Sequence, residues 1–279
     1  MKPSIVGLTA SLVLVGLWAR AETPGTGIPP SEAQAKAALN SSPRHGEWVD
    51  VPLAGKPVPL RCFVVYPEVK TKAPVVLVIH EIFGLTDWAR AVADRLAAEG
   101  FIAIAPDLLS GKGPGGGGTE SAGSRDDVMK LIRDLSSEEV VAALDAARAY
   151  ALKLSAASGK SGAIGFCWGG GMSFQYASAQ PGLDAAVVYY GPNPADPVLL
   201  KHIRAPVLGC YGGDDARVVT TIEPAAEQMK KLGKSYAWHV YDGAGHGFLR
   251  AQDERNGANR KAAEQAWPAT IAFLKKNLE

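Results

Sequence analysis

The sequence predicts an α/β fold, with a mostly parallel central sheet and helices on both faces. Short apolar or β-branched runs alternate with helical patterns from about residue 47 to the C-terminus, which is the element order of parallel sheets with crossover helices. The chain has 279 residues, of which 47% are hydrophobic, and this suits one globular domain of that class preceded by an N-terminal extension.

The alternation resolves into strands and helices along the chain. The predicted strands cover residues 61–66, 74–80, 101–105, 162–166, 184–190, 206–211 and 236–241. The predicted helices cover residues 88–99, 126–135, 136–154, 170–179, 222–232 and 259–277. Because helices separate most successive strands, the sheet is expected to be covered on both faces.

Two local signals refine these boundaries. Ser136 and Glu139 have the S-x-x-E spacing of a capping box, which predicts that a new helix begins at Ser136. Residues 110–124 include four consecutive glycines and bury too little apolar area to offset their ordering cost, so we predict a flexible loop and a candidate lid. The glycine run lacks the Lys-Ser/Thr ending of a phosphate-binding loop.

The N-terminus has the pattern of an export signal. Lys2 precedes a short apolar run, and residues 19–21 (ARA) provide an A-x-A cleavage site, so residues 1–21 are predicted to be a signal peptide. A membrane anchor is the alternative, but the apolar run is shorter than the roughly 20 residues of a spanning helix. We therefore expect an exported protein, either periplasmic or secreted.

Residues 22–46 are rich in Pro, Gly, Ser and Ala and lack a sustained strand pattern. We predict a flexible N-terminal linker there, with one short helix over residues 31–39. The folded domain is expected to cover residues 47–279.

Composition limits the kinds of partner that this chain can bind. The formal net charge is +1, so there is no bulk attraction to nucleic acid or to anionic lipid, and small neutral molecules are the expected partners. No C-x-x-C or H-x-x-x-H spacing occurs, so we expect no metal and no cofactor. A disulfide between Cys62 and Cys210 is conceivable in an oxidising compartment, but buried free thiols are favoured.

Residues 165–169 (GFCWG) have the G-x-Nuc-x-G pattern of a nucleophile elbow, with Cys167 in the nucleophile position. A predicted strand precedes this segment and a predicted helix follows it. The strand-to-helix turn is too tight for side chains beside the nucleophile, and the helix N-terminus favours a thiolate. The alternative is a buried cysteine in an ordinary glycine-rich turn.

Candidate partners of Cys167 follow two later strands in the order that such a site requires, which is nucleophile, acid and histidine. Asp214 and Asp215 come after one predicted strand, and His246 lies between glycines after the next. Either aspartate could hydrogen-bond the imidazole and hold one tautomer. The D-x-x-V spacing from Asp215 to Val218 favours Asp215.

From residue 75 to the C-terminus, the sequence resembles the dienelactone hydrolase family. The segments that carry this resemblance are residues 80–84 (HEIFG), 105–108 (APDL), 165–169 (GFCWG) and 243–248 (GAGHGF). The resemblance implies an α/β-hydrolase fold, with residues 47–279 as the catalytic domain. It also implies hydrolysis of an ester or lactone through a thioester, with Cys167 as nucleophile, His246 as base and Asp215 as orienting acid.

The resemblance implies further roles near the thiol. Glu81 is expected to lie beside Cys167 and to move aside when substrate binds; a structural salt bridge is the alternative for this residue. The backbone amides of Ile82 and Trp168 are expected to form the oxyanion hole.

Substrate-binding residues are less clearly indicated. Arg250 matches one of two arginines that hold the carboxylate of dienelactone in the family, although it could also be a solvated surface charge. The second arginine falls at Gly111, and the neighbouring Lys112 is an imperfect substitute because a lysine lacks the bidentate fork of a guanidinium group. A strong preference for dienelactone is therefore not expected.

Two rival functions stay open at this point. A broad-specificity carboxylesterase or thioesterase with the same triad is favoured by the missing second arginine. An exported binding protein that kept the fold and lost catalysis is disfavoured by the complete triad. The natural substrate and the oligomeric state are not indicated by the sequence.

Overall fold

The computed structural model describes residues 27–194 and 196–279. These residues fold around one eight-stranded sheet. The strands are β1 (Gly46–Val51), β2 (Leu60–Val65), β3 (Ala73–Ile79), β4 (Ile102–Pro106), β5 (Ala157–Phe166), β6 (Ala185–Tyr189), β7 (Val207–Gly212) and β8 (Tyr236–Tyr241). Their spatial order is β1-β2-β4-β3-β5-β6-β7-β8. The β1–β2 and β2–β4 pairs are antiparallel and all other pairs are parallel, which confirms the predicted mostly parallel sheet.

Helices cover both faces of this sheet. They are α1 (Glu32–Ser41), α2 (Asp87–Ala98), α3 (Arg125–Arg133), α4 (Ser137–Leu152), α5 (Trp168–Ala179), α6 (Pro197–Leu200), α7 (Ala216–Val219), α8 (Ile222–Lys231) and α9 (Ala258–Leu278). Helices α1, α2 and α9 contribute to the core on one face, and α4, α5 and α8 contribute to the core on the other. Strands β3 and β4 are buried along their whole length because both of their faces are covered.

Three elements were not predicted from the sequence. Strand β1 lies at the edge of the sheet and is only partly buried, so it lacks the apolar run by which the inner strands are recognised. Helices α6 and α7 are each four residues long, which is too short for a helical hydrophobic period.

The predicted capping box at Ser136 is present. The Ser136 hydroxyl accepts a hydrogen bond from the backbone amide of Glu139, and α4 begins at Ser137.

The segment predicted as a flexible linker, residues 22–46, differs from that prediction in its described part. Helix α1 confirms the short helix, and the chain before it is tied to the domain. The indole of Trp88 donates to the carbonyl of Pro30 at 3.1 Å, and the Gln252 side-chain amide donates to the carbonyl of Pro29 at 2.8 Å. These bonds involve distant side chains, which a local composition bias cannot reveal.

The glycine-rich segment over residues 110–124 is likewise held in place. The Asp107 carboxylate, directly after β4, accepts hydrogen bonds from the backbone amide and the hydroxyl of Thr119, at 2.8 and 2.6 Å. Gly118 is required for this close approach, because a Cβ atom there would lie 2.2 Å from Asp107 Oδ2. The loop is therefore organised by one buried carboxylate rather than being unstructured.

Cys62 and Cys210 are buried free thiols, as the sequence favoured, and the alternative of a disulfide between them is excluded. All three cysteines of the chain are free, and Cys62 on β2 is separated from Cys210 on β7 by four intervening strands. At about 4.8 Å per strand, the two residues are far beyond the roughly 7 Å that a disulfide can bridge. Burial raises the pKa of the Cys210 thiol to about 12, so this thiol is unreactive at neutral pH.

Candidate active site

The residues predicted to form a site meet at the carboxyl edge of the parallel strands. Glu81 follows β3, Cys167 follows β5, Asp215 follows β7 and His246 follows β8. In open α/β sheets, loops at this edge are the usual location of binding and catalytic groups. The topology of the sheet thus brings together side chains that are up to 165 positions apart in the chain.

Cys167 occupies a strained turn between β5 and α5. Its backbone has φ 55° and ψ −119°, a conformation that L-residues rarely adopt and that is typical of a nucleophile elbow. The flanking glycines are sterically required: a Cβ atom at Gly165 would lie 1.9 Å from the Gly169 carbonyl oxygen, and one at Gly169 would lie 2.2 Å from the His80 carbonyl oxygen.

One imidazole links the thiol to a carboxylate. His246 Nε2 lies 3.0 Å from Cys167 Sγ, and His246 Nδ1 donates a hydrogen bond of 2.5 Å to Asp215 Oδ2. The Asp215 side chain is 8% exposed, so this bond lies largely out of solvent. Asp214 instead forms an exposed ion pair with Arg255 at 2.7 Å. The geometry pairs His246 with Asp215, the aspartate that the D-x-x-V spacing favoured.

The sulfur lies between groups that act on its protonation in opposite directions. Burial and the nearby Glu81 carboxylate raise the pKa of the Cys167 thiol to about 11, whereas hydrogen bonds from the backbone amides of Trp168 and Ile82 lower it. At neutral pH the resting site therefore holds a thiol, which donates to His246 Nε2. The two backbone amides that were predicted as an oxyanion hole both face the sulfur.

Glu81 is a buried carboxylate with one strong partner. Its Oε2 accepts a hydrogen bond of 2.7 Å from Arg250 Nε, while its Oε1 is buried with no partner among the described residues. Burial raises the pKa of Glu81, and the charge of Arg250 opposes that rise. The salt bridge that the sequence left as an alternative for Glu81 is present in this structure.

The structure assigns different partners to the two predicted substrate-binding cations. Arg250 is 18% exposed rather than a solvated surface charge, and its guanidinium pairs with Glu81 and with Glu32 of α1. Lys112 pairs with Glu139 of α4 at 2.6 Å and lines a separate cavity of about 610 Å³. This position gives no support to the prediction that Lys112 substitutes for a second arginine, because its charge is matched by Glu139 beside a different cavity.

Tyr190 is a site residue that the sequence reasoning missed. Its ring packs edge-on against His246 with centroids 5.3 Å apart, its backbone φ is 40°, and its hydroxyl is buried with no hydrogen-bond partner among the described residues. Tyr190 directly follows β6 and so lies at the same carboxyl edge as the other site residues. The sequence signal for Tyr190 was its place at the end of a predicted strand between the strands that precede Cys167 and Asp215.

Glu81→Gln is expected to make Cys167 react faster with iodoacetamide. The Glu81 charge raises the pKa of the thiol, so its removal lowers that pKa and increases the thiolate fraction at pH 7.5, by roughly tenfold for each pKa unit. Mass spectrometry of the labelled peptide measures the rate. Glu264→Gln, at an exposed ion pair on α9, is the matched control, and an unchanged rate in Glu81→Gln would contradict this account.

The fold and this set of side chains together define an α/β-hydrolase. A sequence profile of the "Dienelactone hydrolase family" matches residues 60–278. The chain is 30% identical over 250 residues to a "Putative carboxymethylenebutenolidase" of Saccharolobus solfataricus, covering 78% of this chain and 94% of that protein. It is 31% identical over 257 residues to a protein of the same name from Methylorubrum extorquens, covering 86% and 84%.

A solved structure supports the same grouping. The crystal structure of a "Putative Dienelactone Hydrolase" from Klebsiella pneumoniae superposes with a TM-score of 0.73 at 26% identity, covering 83% of this chain and 98% of that one. The chain belongs to the dienelactone hydrolase family, and it is accordingly a hydrolase of the α/β-hydrolase fold.

Proposed function

We propose that the chain hydrolyses a carboxylic ester or lactone through a thioester on Cys167. The observation that carries this proposal is the position of the His246 ring, which lies 3.0 Å from the sulfur on one side and 2.5 Å from the Asp215 carboxylate on the other. A histidine held in this way accepts a proton from the nucleophile and returns it to the leaving group.

The proposed reaction has two halves. In the first, the Cys167 thiol gives its proton to His246 Nε2, the sulfur attacks the carbonyl carbon, and the carbonyl electron pair moves to oxygen. Collapse of this intermediate breaks the C–O bond, and the leaving alkoxide takes the proton from His246. In the second half, His246 removes a proton from water, which attacks the thioester; the C–S bond breaks and the sulfur regains its proton.

The backbone amides of Ile82 and Trp168 are the proposed oxyanion donors. Both amides lie near enough to the sulfur to lower the pKa of the thiol, and the oxyanion of a carbonyl group attacked by that sulfur would lie within their reach. Glu81 is proposed to turn away from the sulfur when substrate binds, as the family resemblance implies. Loss of its nearby negative charge then lowers the pKa of the thiol and favours transfer of the proton to His246.

A substrate panel tests the proposal. Short-chain 4-nitrophenyl esters, neutral lactones, a thioester and carboxylate-bearing lactones are incubated with the purified protein, and an acid-quenched reaction is examined for an acyl adduct on Cys167. We expect hydrolysis and a mass increase equal to the acyl group. Absence of turnover and of an acyl adduct on every substrate would reject the proposed hydrolysis of esters and lactones through a thioester on Cys167.

A broad-specificity carboxylesterase or thioesterase is the second candidate, and one observation favours it. Arg250, the arginine that matches a carboxylate-binding position in the family, is already paired with two carboxylates of this chain. The ratio of rates on simple esters and on carboxylate-bearing lactones separates this candidate from a dienelactone-specific enzyme.

Export is a further part of the proposal. The predicted signal peptide, residues 1–21, lies outside the described residues; among those that are described, no helix is long and apolar enough to cross a membrane. We expect full-length protein made in a bacterial host to reach the periplasm with Glu22 as its N-terminus. Ala21→Gln should block cleavage, since the site requires small residues. Intact protein in the cytoplasm would refute export.

A further inference from the structure

Four side chains from separate segments form a cluster beside the thiol, referred to here as the rim cluster. They are Glu32 of α1, Phe83 of the loop after β3, Arg125 of α3, and Arg250 of the loop after β8. Both guanidinium groups lie against the Phe83 ring, with that of Arg125 at 3.6 Å and that of Arg250 at 5.2 Å from its centroid. Arg250 also hydrogen-bonds Glu81, whose charge acts on the Cys167 thiol, so the rim cluster lies on the Glu81 side of the site.

The Glu32 carboxylate pairs with both arginines of the rim cluster. It hydrogen-bonds Arg250 through Oε2 and lies 3.7 Å from Arg125 through Oε1. The second partner of Arg250 is Glu81, at 2.7 Å. The two guanidinium groups of the rim cluster are thus already paired with carboxylates of this chain, Arg125 with Glu32 and Arg250 with both Glu32 and Glu81.

Glu32 is held in this position by its backbone. Its amide donates to the carbonyl of Arg250 at 3.0 Å, and at the start of its helix the Gln34 side chain accepts a hydrogen bond from the Ser31 amide at 3.3 Å. An incoming carboxylate would have to displace the Glu32 carboxylate, which is already paired with both arginines and is attached to an anchored backbone. Residue 32 precedes residues 60–278, which match the family, so this carboxylate comes from a segment outside the family match.

We propose that Glu32 is a specificity-determining residue that occupies the carboxylate position on Arg250 and Arg125. The site then takes esters or lactones with an uncharged acyl group and discriminates against acyl groups that carry a carboxylate. Phe83 offers apolar surface to such a neutral group once the charges around it are paired. This inference rests on the proposed function and names the substrate class of that same site.

A pair of substrates of similar length tests the inference. The kcat/KM is measured for 4-nitrophenyl butyrate and for mono-4-nitrophenyl succinate, whose acyl group ends in a carboxylate. In Glu32→Gln, we expect the succinate-to-butyrate ratio to rise roughly fivefold to tenfold, because a guanidinium is freed for a charge-assisted contact. Increasing salt should reduce this gain, and Arg125→Gln added to Glu32→Gln should reverse much of it.

The controls separate this inference from the proposed function. Glu264→Gln makes the same substitution at an exposed ion pair on α9 and should leave the ratio unchanged. A merely structural role for Glu32 would lower both rates together, and an unchanged ratio in Glu32→Gln overturns the inference. If neither ester is hydrolysed, the proposed function fails instead.

A second readout needs no turnover. Protection of Cys167 from iodoacetamide by glutarate reports on anion binding at the rim cluster. Glu32→Gln should be protected at glutarate concentrations that leave the wild-type protein unprotected. Equal protection of both proteins contradicts the inference whether or not the chain is an esterase.

Discussion

Cys167→Ala is expected to reduce kcat for ester hydrolysis by roughly 10⁴-fold or more, because it removes the atom that forms the covalent intermediate. The melting temperature should change by only a few degrees, since alanine removes one sulfur atom and keeps the backbone of the turn. Steady-state kinetics on the best substrate of the panel, together with a thermal melt, measure both quantities.

Cys62→Ala is the matched control for that variant. Cys62 is buried on β2, and burial followed by the charge of Asp107 raises the pKa of its thiol well above the usual range. This control should retain kcat for each folded molecule even if its stability falls. Retained turnover in Cys167→Ala, or an acyl adduct on a different residue, would exclude Cys167 as the nucleophile.

Asp215→Asn is expected to have the second-largest effect, a loss of roughly 10³- to 10⁴-fold in kcat/KM. The amide would offer a donor to His246 Nδ1 and so favour the tautomer in which Nε2 carries the proton and cannot accept one from Cys167. It would also remove the negative charge that stabilises the imidazolium formed during the reaction. Substrate binding should be little changed, so the loss should appear mainly in kcat.

Asp214→Asn makes the same chemical change one residue away. Asp214 is 48% exposed and pairs with Arg255, so we expect its kcat/KM to stay within about twofold of the wild-type value. A loss in Asp214→Asn as large as that in Asp215→Asn would mean that the orienting carboxylate has been misassigned.

The sequence by itself determined the order of the main strands and helices and the identity of Cys167 and His246 as candidates. These features are local: a buried strand needs a continuous apolar run, and a nucleophile elbow needs glycine on each side of the nucleophile. Residues 165–169 (GFCWG) contain the nucleophile and both of these glycines within five positions. Edge strand β1 was missed because partial burial leaves no such run.

Only the tertiary structure decided which charged groups are paired near the thiol. The structure shows that the Asp215 carboxylate contacts His246, whereas the Asp214 carboxylate contacts Arg255. The spacing of residues in the sequence favoured this choice but could not show the direction of either side chain. Arg250 contacts Glu81 and Glu32 across 169 and 218 positions of the chain. Ion pairs between such distant residues leave no periodic or local pattern, because they depend on how loops and the N-terminal helix pack against the finished sheet.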